Sequence, residues 1–251
     1  MRVVLAFDKF KGSATSQQLN DAAFDALAAL QGVTACRVPV ADGGDGTTVV
    51  LASACRGQWV SMPTMGPLLQ LPPVNASYFM CDDGTALIEV AAASGLSLLA
   101  DAQRDVMRAS TYGTGLVMRD AMERGSRHIV LGLGGSATCD AAMGILSALG
   151  AEFLDADSRY LFPCGESLGK IEHIGTAGLP QAVRDCRFTL LTDVDNTLCG
   201  VVARRVSLLR KRGQHPPRSS SWNRPWSMSP PSWARTSHLC RVAVLPAESR
   251  R

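Results

Sequence analysis

The chain has 251 residues, 46% of them apolar, and a formal net charge of +3. That length holds one large α/β domain or two smaller ones, and no charge-free stretch of membrane-spanning length is present, so no membrane partner is expected. Eight scattered cysteines without a C-x-x-C pair, four histidines and no H-E-x-x-H argue against zinc and suit a reducing cytosol, and the opening "MRVVLAFDKF" lacks a signal-peptide pattern, so a cytoplasmic location is expected.

In chain order, "VVLAF" (3–7) reads as a buried strand followed by the polar loop "DKFKGSATS". Over residues 17–30, Leu19, Ala23, Leu27 and Leu30 fall on one helical face, with Ser13, Thr15 and Ser16 as candidate N-caps. "ACRVPV" (35–40) is a second short strand, and "ADGGDGTTVVLASACRG" is a loop entering a helix. "ALIEV" (86–90) predicts a strand, residues 111–125 a helix stopped by Gly125, and "HIVLGL" (128–133) a strand. Residues 138–150 predict a helix ending at Gly150, and "RFTLLTDV" (187–194) a late strand. Strands alternating with helices predict an α/β fold with a largely parallel sheet.

Ligands of such sheets collect at the carboxyl ends of the strands, and four loops there carry suitable atoms. In "GLGGSATCD", Gly132, Gly134, Gly135, Ser136 and Thr138 between a strand and a helix offer backbone N–H groups and a helix dipole to an anion. The loop is neither a Walker A sequence nor a complete dinucleotide fingerprint, since Ala137 stands at the third glycine position, and it also reads as a plain tight turn. In "DKFKGS", Asp8, Lys9 and Lys11 bring both charge signs, and a lysine neutralises phosphate or carboxylate as a point charge. In "ADGGDGT", Asp42 and Asp45 suit Mg²⁺ or a hydroxylated substrate, although Asp and Gly also simply make turns. In "TDVDNT", Asp193 and Asp195 are alternate residues whose carboxylates face one way if the segment is extended.

A further helix start, "STYGTG" (110–115), either binds an anion or caps its own helix, and Glu89 is either a paired acid in its strand or a substrate contact. Taken together, anion-binding backbone, lysines and carboxylates are the parts that phosphoryl transfer needs. The residues alone support an α/β enzyme handling a phosphorylated ligand.

In this order, "DKFKGS", "VPVADGGDGT", "EVAAASGL", "TYGTG", "GLGGSATCD" and "DVDN" resemble the bacterial glycerate kinase family over roughly residues 1–200. The resemblance implies two α/β domains, one Rossmann-like and one inserted, with a cleft between them. Residues 1–70 would begin the first domain and residues 71–200 form the second. It implies ATP- and Mg²⁺-dependent phosphorylation of D-glycerate, with 2-phosphoglycerate favoured as product, and no nucleic-acid partner. Asp8, Lys9, Lys11 and Asp193 would be catalytic, Asp42, Asp45 and Asp195 would bind substrate, and Gly134, Gly135, Ser136, Thr138 and Asp140 would bind the nucleotide. Lys9 or Lys11 would meet the carboxylate or the transferred phosphoryl group, and the aspartates would hold Mg²⁺ or the glycerate hydroxyls. Two departures stand out. Similar proteins carry Asn, Ser or Thr where Cys139 stands, and a Gly-Gly pair where Ala141 and Ala142 stand. Related chains also run on for well over a hundred residues, and their far C-terminus completes the Rossmann-like domain.

Residues 1–200 carry a net charge of −7 and residues 201–251 one of +10, with three of the four Trp and six of the thirteen Pro in the latter. A basic Arg/Ser/Pro run suits a nucleic-acid arm, but a shift of reading frame near residue 200 explains it better. Codons built from the last base of each tail codon and the first two of the next turn Trp222-Asn223 into Glu and Trp233-Ala234 into Gly. They also allow an apolar-periodic helix over the same stretch. The tail is therefore expected to form no folded domain, and kinase activity to be low or absent. The rivals are a non-catalytic remnant that at most binds nucleotide, and a dinucleotide-dependent oxidoreductase. The second is disfavoured because no acidic residue sits at the ribose position.

Overall fold

The computed structural model describes residues 1–10 and 12–192. Strand β1 (Arg2–Leu5) leads through a loop to helix α1 (Ser16–Ala28) and then to β2 (Thr34–Arg37), which pairs in parallel with β1 from Arg2↔Thr34 to Leu5↔Arg37. Of the candidate caps, Thr15 is the one used. Its side chain accepts from Gln18 N–H while the Gln18 side chain accepts from Thr15 N–H, a reciprocal capping box. Both strands stop earlier than their apolar runs suggest, and Phe7 and Val38 are left exposed.

After the short helix α2 (Thr47–Ala52) the chain builds a five-stranded sheet in the order β3 (Gly57–Thr64), β4 (Val74–Cys81), β5 (Thr85–Glu89), β6 (His128–Gly132), β9 (Arg187–Leu191). The expectation of a largely parallel sheet needs correction. β5, β6 and β9 are parallel, but β3, β4 and β5 form an antiparallel meander, so the sheet is mixed. The expected domain division at residue 70 falls between β3 and β4, which pair along their full length. The sheets group residues 57–191 together.

The core of this sheet holds Tyr78, Ile88, Ile129 and Leu131 packed beneath α4 (Tyr112–Glu123), whose Val117 and Met122 face inward. Tyr78 points its hydroxyl out of the core to donate to Asp120 at 2.6 Å, and Arg124 holds the same oxygen at 2.8 Å. Helix α3 (Val90–Ser94) follows β5 directly. Helix α5 (Met143–Ala148) crosses α4 closely, where a Cβ on Gly115 would stand 2.7 Å from the Ala148 methyl. A small antiparallel pair, β7 (Glu152–Leu154) with β8 (His173–Gly175), and helix α6 (Gln181–Asp185) complete the described fold. Among the described residues no helix is long and apolar enough to cross a membrane.

Candidate functional site

Parallel pairing brings Glu89, Gly132 and Leu191 to one edge of the sheet, the carboxyl ends of β5, β6 and β9. The segment 41–47, between β2 and α2, lies across that edge. Gly134 N–H donates to Gly43 O at 2.9 Å, and Leu133 N–H to Leu191 O at 3.1 Å. Gly43 has φ +85°, and a Cβ there would sit 2.8 Å from Leu191 O. Gly135 has φ +72°, and a Cβ there would drive into the Asp45 carboxylate. Glycine is needed at both positions for backbone conformation and for close approach. From behind, Leu96 N–H donates to Gly135 O and Ala137 N–H to Ser94 O, each at 2.8 Å, so residues 94–96 buttress the glycine turn.

Beside this junction, Lys9 Nζ reaches Asp42 Oδ1 at 2.9 Å, and the same oxygen accepts from Gly44 N–H at 2.8 Å. Asp8 Oδ1 accepts from the Lys9 amide at 2.7 Å. The hydrogen bond from Lys9, with the Gly44 amide behind it, holds the Asp42 carboxyl below the usual range despite partial burial. Burial opposes the charge on Lys9, but Asp42, aided by Asp8 and Asp45, outweighs it and raises the lysine. Both groups are therefore charged at neutral pH. A cavity of about 530 Å³ adjoins them, lined by Asp8, Lys9, Ser13, Thr15, Asp45 and Val49. That volume suits a small molecule.

The glycine turn is not followed at once by a helix. Instead of starting at 138, α5 starts at Met143, because Ala141 (φ 49°) and Ala142 (φ 62°) are both left-handed. Met143 N–H closes back to Asp140 O at 2.9 Å, giving the pattern of a type I′ turn, which glycine, asparagine and aspartate usually occupy. Asp140 sits beneath this turn at 1% exposure. Its Oδ2 accepts from Thr111 N–H and Oγ1–H at 2.8 Å each and from Gly144 N–H at 3.1 Å. Burial pushes its carboxyl upward against the pull of those donors. Asp140 thus takes the Gly144 amide of α5 and the Thr111 amide just before α4, while Tyr112 N–H, the first amide of α4, donates to Ser110 Oγ at 3.1 Å; of the two readings for "STYGTG" the structure favours internal satisfaction of the helix start. Asp140 braces the loop from inside.

Asp8, Lys9, Asp42 and Asp45 are brought together, and Gly134 and Gly135 touch them through Gly44 and Asp45. Ser136 bridges to Gly95 and is half-buried, and Thr138 is buried. Lys11, Asp193 and Asp195 lie outside the described residues. Glu89, which the sequence leaves between two roles, accepts from Thr48 N–H at 2.7 Å and from Gly46 N–H at 3.2 Å. An acid at the end of a strand whose central residues are all buried, facing an Asp/Gly loop, is the signal that points to it. Among the described residues no group of three or more His, Cys, Asp or Glu side chains is gathered to hold a metal ion. Mg²⁺ carried on nucleotide phosphates needs only one or two protein carboxylates, a set that Asp45 beside Gly135 fits.

The glycerate kinase family model matches residues 3–205, ending close to where the charge turns basic. The chain is 36% identical over 202 residues to the glycerate kinase of Bacillus subtilis (strain 168). It is 37% identical over 202 residues to the glycerate 2-kinase of Escherichia coli (strain K12). Each match covers 80% of this chain and 52% of the relative. A crystal structure from Salmonella typhimurium LT2, provisionally named glycerate kinase 2, aligns with a TM-score of 0.72 at 33% identity, covering 86% of this chain and 58% of that one. The chain therefore spans about half the length of the curated relatives it matches. With its sheet edge, its glycine turn and its Lys9–Asp42 pair all inside the matched region, the chain belongs to the glycerate kinase family.

Proposed function

We propose that this chain carries one wall of a site for ATP-dependent phosphorylation of D-glycerate, with 2-phosphoglycerate as the product. The observation that carries the reading is the convergence of segments 8–9, 41–47 and 132–136 at the carboxyl ends of parallel strands, with a charged lysine and several carboxylates at their meeting point. The choice of the 2-hydroxyl follows the Escherichia coli relative, a glycerate 2-kinase.

Lys9, fixed by Asp42, presents a positive charge to the glycerate carboxylate or to the transferred phosphoryl group. Asp8 and Asp45 flank the cavity as acceptors for the substrate hydroxyls, and one of them, or Asp193, takes the proton of the attacking alcohol. Asp195 joins Asp42 and Asp45 in holding the substrate, and Lys11 assists Lys9. Gly134, Gly135, Ser136 and Thr138 form the wall for the nucleotide phosphates, held in shape by Asp140. Mg²⁺ held through Asp45 would neutralise phosphate charge, and catalysis is otherwise positioning and electrostatics.

Val4 and Val38, at 63% and 47% exposure, leave the β1–β2 sheet open on one face. Parallel strands are normally covered on both faces, so the 251-residue chain alone should turn over well below ordinary kinase rates of about 1–100 per second. The test is calorimetric titration with Mg·ATP and with D-glycerate, followed by a coupled assay for ADP. Binding of both ligands with weak turnover supports the reading. Failure of either ligand to bind at millimolar concentration overturns it.

A further inference from the structure

Glu89 stands at the end of β5, yet its side chain makes no bond to the helix that starts beside it; α3 has no side-chain cap. The carboxylate reaches instead across 41 to 43 residues of sequence to two amides at the start of α2, those of Gly46 and Thr48 on either side of Thr47, whose own N–H donates to Gly44 O. Gly46, the residue before α2, has φ +89° and itself supplies no side chain to cap that helix. The partner opposite Glu89 in β6 is Gly132, which leaves its side of the strand end clear. A Cβ at Gly132 would stand 3.6 Å from Glu89 Cγ and 3.0 Å from Gly43 O. Segment 41–47 is therefore tied to the sheet by backbone bonds at Gly43 and by the Glu89 side chain, while α2 beyond it packs Leu51 and Ala52 against Phe79 and Leu87.

We propose that Glu89 is the positioning residue of this site: its carboxylate clamps segment 41–47 to the five-stranded sheet and so sets where Asp42, Asp45 and, through Asp42, Lys9 stand. This rests on the proposed glycerate kinase site only for its consequence, since the clamp itself is a property of the fold. A carboxylate on two amides at a helix start combines charge-assisted hydrogen bonds with the helix dipole. Gly46 belongs to the segment that carries Asp42 and Asp45, and Thr48 to the first turn of α2 directly after it. Losing the clamp frees the segment without disturbing the core beneath β5, where Ile88 and Ala86 do the packing.

The experiment compares the full chain with Glu89→Gln, which keeps one acceptor, and Glu89→Ala, which keeps none. Amide hydrogen exchange is read by NMR, and D-glycerate affinity by calorimetry. Exchange at Gly46 and Thr48 should accelerate about tenfold or more in the alanine variant and less in the glutamine variant. Exchange in β4 and α4 should be unchanged, and glycerate affinity should fall in the same order. Unchanged exchange at both amides in Glu89→Ala overturns the clamp. Faster exchange with unaltered glycerate affinity overturns its role in positioning. If the parent chain binds no glycerate, the kinase reading falls, and exchange at the two amides still decides the clamp.

Discussion

Replacing Ala141 and Ala142 by glycine should stabilise the protein. Both residues hold positive φ, 49° and 62°, in a two-residue turn closed by Met143 N–H on Asp140 O. An L-residue in this region pays roughly 1–2 kcal/mol for its Cβ. Glycine returns about 0.4–1 kcal/mol of that through the greater freedom of its unfolded chain. The methyl groups are exposed, so removing them opens no cavity. The net gain is about 0.5–1 kcal/mol per site, or roughly 1–2 kcal/mol for Ala141→Gly/Ala142→Gly. For a unit of this size each kcal/mol moves Tm by about 2–4 °C, so thermal unfolding followed by circular dichroism should show a rise of about 2–8 °C. Asp140 pins the turn on both sides, through its main-chain oxygen and through Oδ2 on Gly144 N–H, so the backbone cannot relax away from left-handed φ without breaking those bonds. A double variant with unchanged or lower Tm would refute the reasoning, because it would mean that these alanines are not strained.

Gly135→Ala should act in the opposite sense, costing about 1–3 kcal/mol and weakening glycerate binding, because its Cβ meets the Asp45 carboxylate at an unfavourable φ; urea unfolding and calorimetry check both effects. Asp140→Ala should cost about 3 kcal/mol or more by leaving three buried donors without their acceptor, and Asp140→Asn, which keeps an acceptor oxygen, clearly less; paired urea curves measure the difference. The Lys9–Asp42 pair should contribute no more than about 1 kcal/mol, since both side chains are partly in water. Asp42 is lowered and Lys9 raised. The pair's contribution should therefore be full between about pH 4 and pH 10, fade as pH falls through the lowered Asp42 value, and fade again as pH rises through the raised Lys9 value. The stability difference between the parent and Lys9→Met across that range tests this. Sequencing the gene across codon 200 should reveal an alternative frame that restores an apolar-periodic reading of residues 201–251; if neither shifted frame does so, the frame-shift account is wrong.

The parts of the fold legible in the sequence are those whose pattern is local. Residues 16–28 and 112–123 show helical periodicity, and residues 128–132 and 187–191 are apolar runs long enough for buried strands. β3 and β4 gave no such signal. β3 reads "GQWVSMPT", with exposed Trp59 and with Pro63 inside the strand, which is tolerated because β3 is the outermost strand of its sheet. The start of α5 was hidden because Ala is the best helix former and nothing in "DAAMGIL" marks two left-handed residues. The family resemblance, which places glycines there, was the better guide. At the site, Asp8, Lys9, Asp42 and Asp45 were legible because charge at a strand end stands out. Asp140 enters only through the family resemblance, which assigns it to the nucleotide; its place as a buried brace is not legible in the sequence, because it depends on Thr111 and Gly144, which meet it only in three dimensions.

The two halves of this site are not equally supported. The glycine turn and the ends of β5, β6 and β9 rise from a sheet with Tyr78, Ile88 and Ile129 fully buried beneath it. Segments 8–9 and 41–47 hang from β1 and β2, two short parallel strands with α1 against them and with Val4 and Val38 in water. A two-stranded sheet has little stability of its own. The position of Lys9 and Asp42 therefore derives mainly from the larger sheet, through Gly43 on Gly134 and Leu191 and through Glu89 on Gly46 and Thr48. It follows that covering the open face of β1 and β2 should sharpen the site without changing its contacts. Loosening Glu89 should blur it even while the core beneath stays intact.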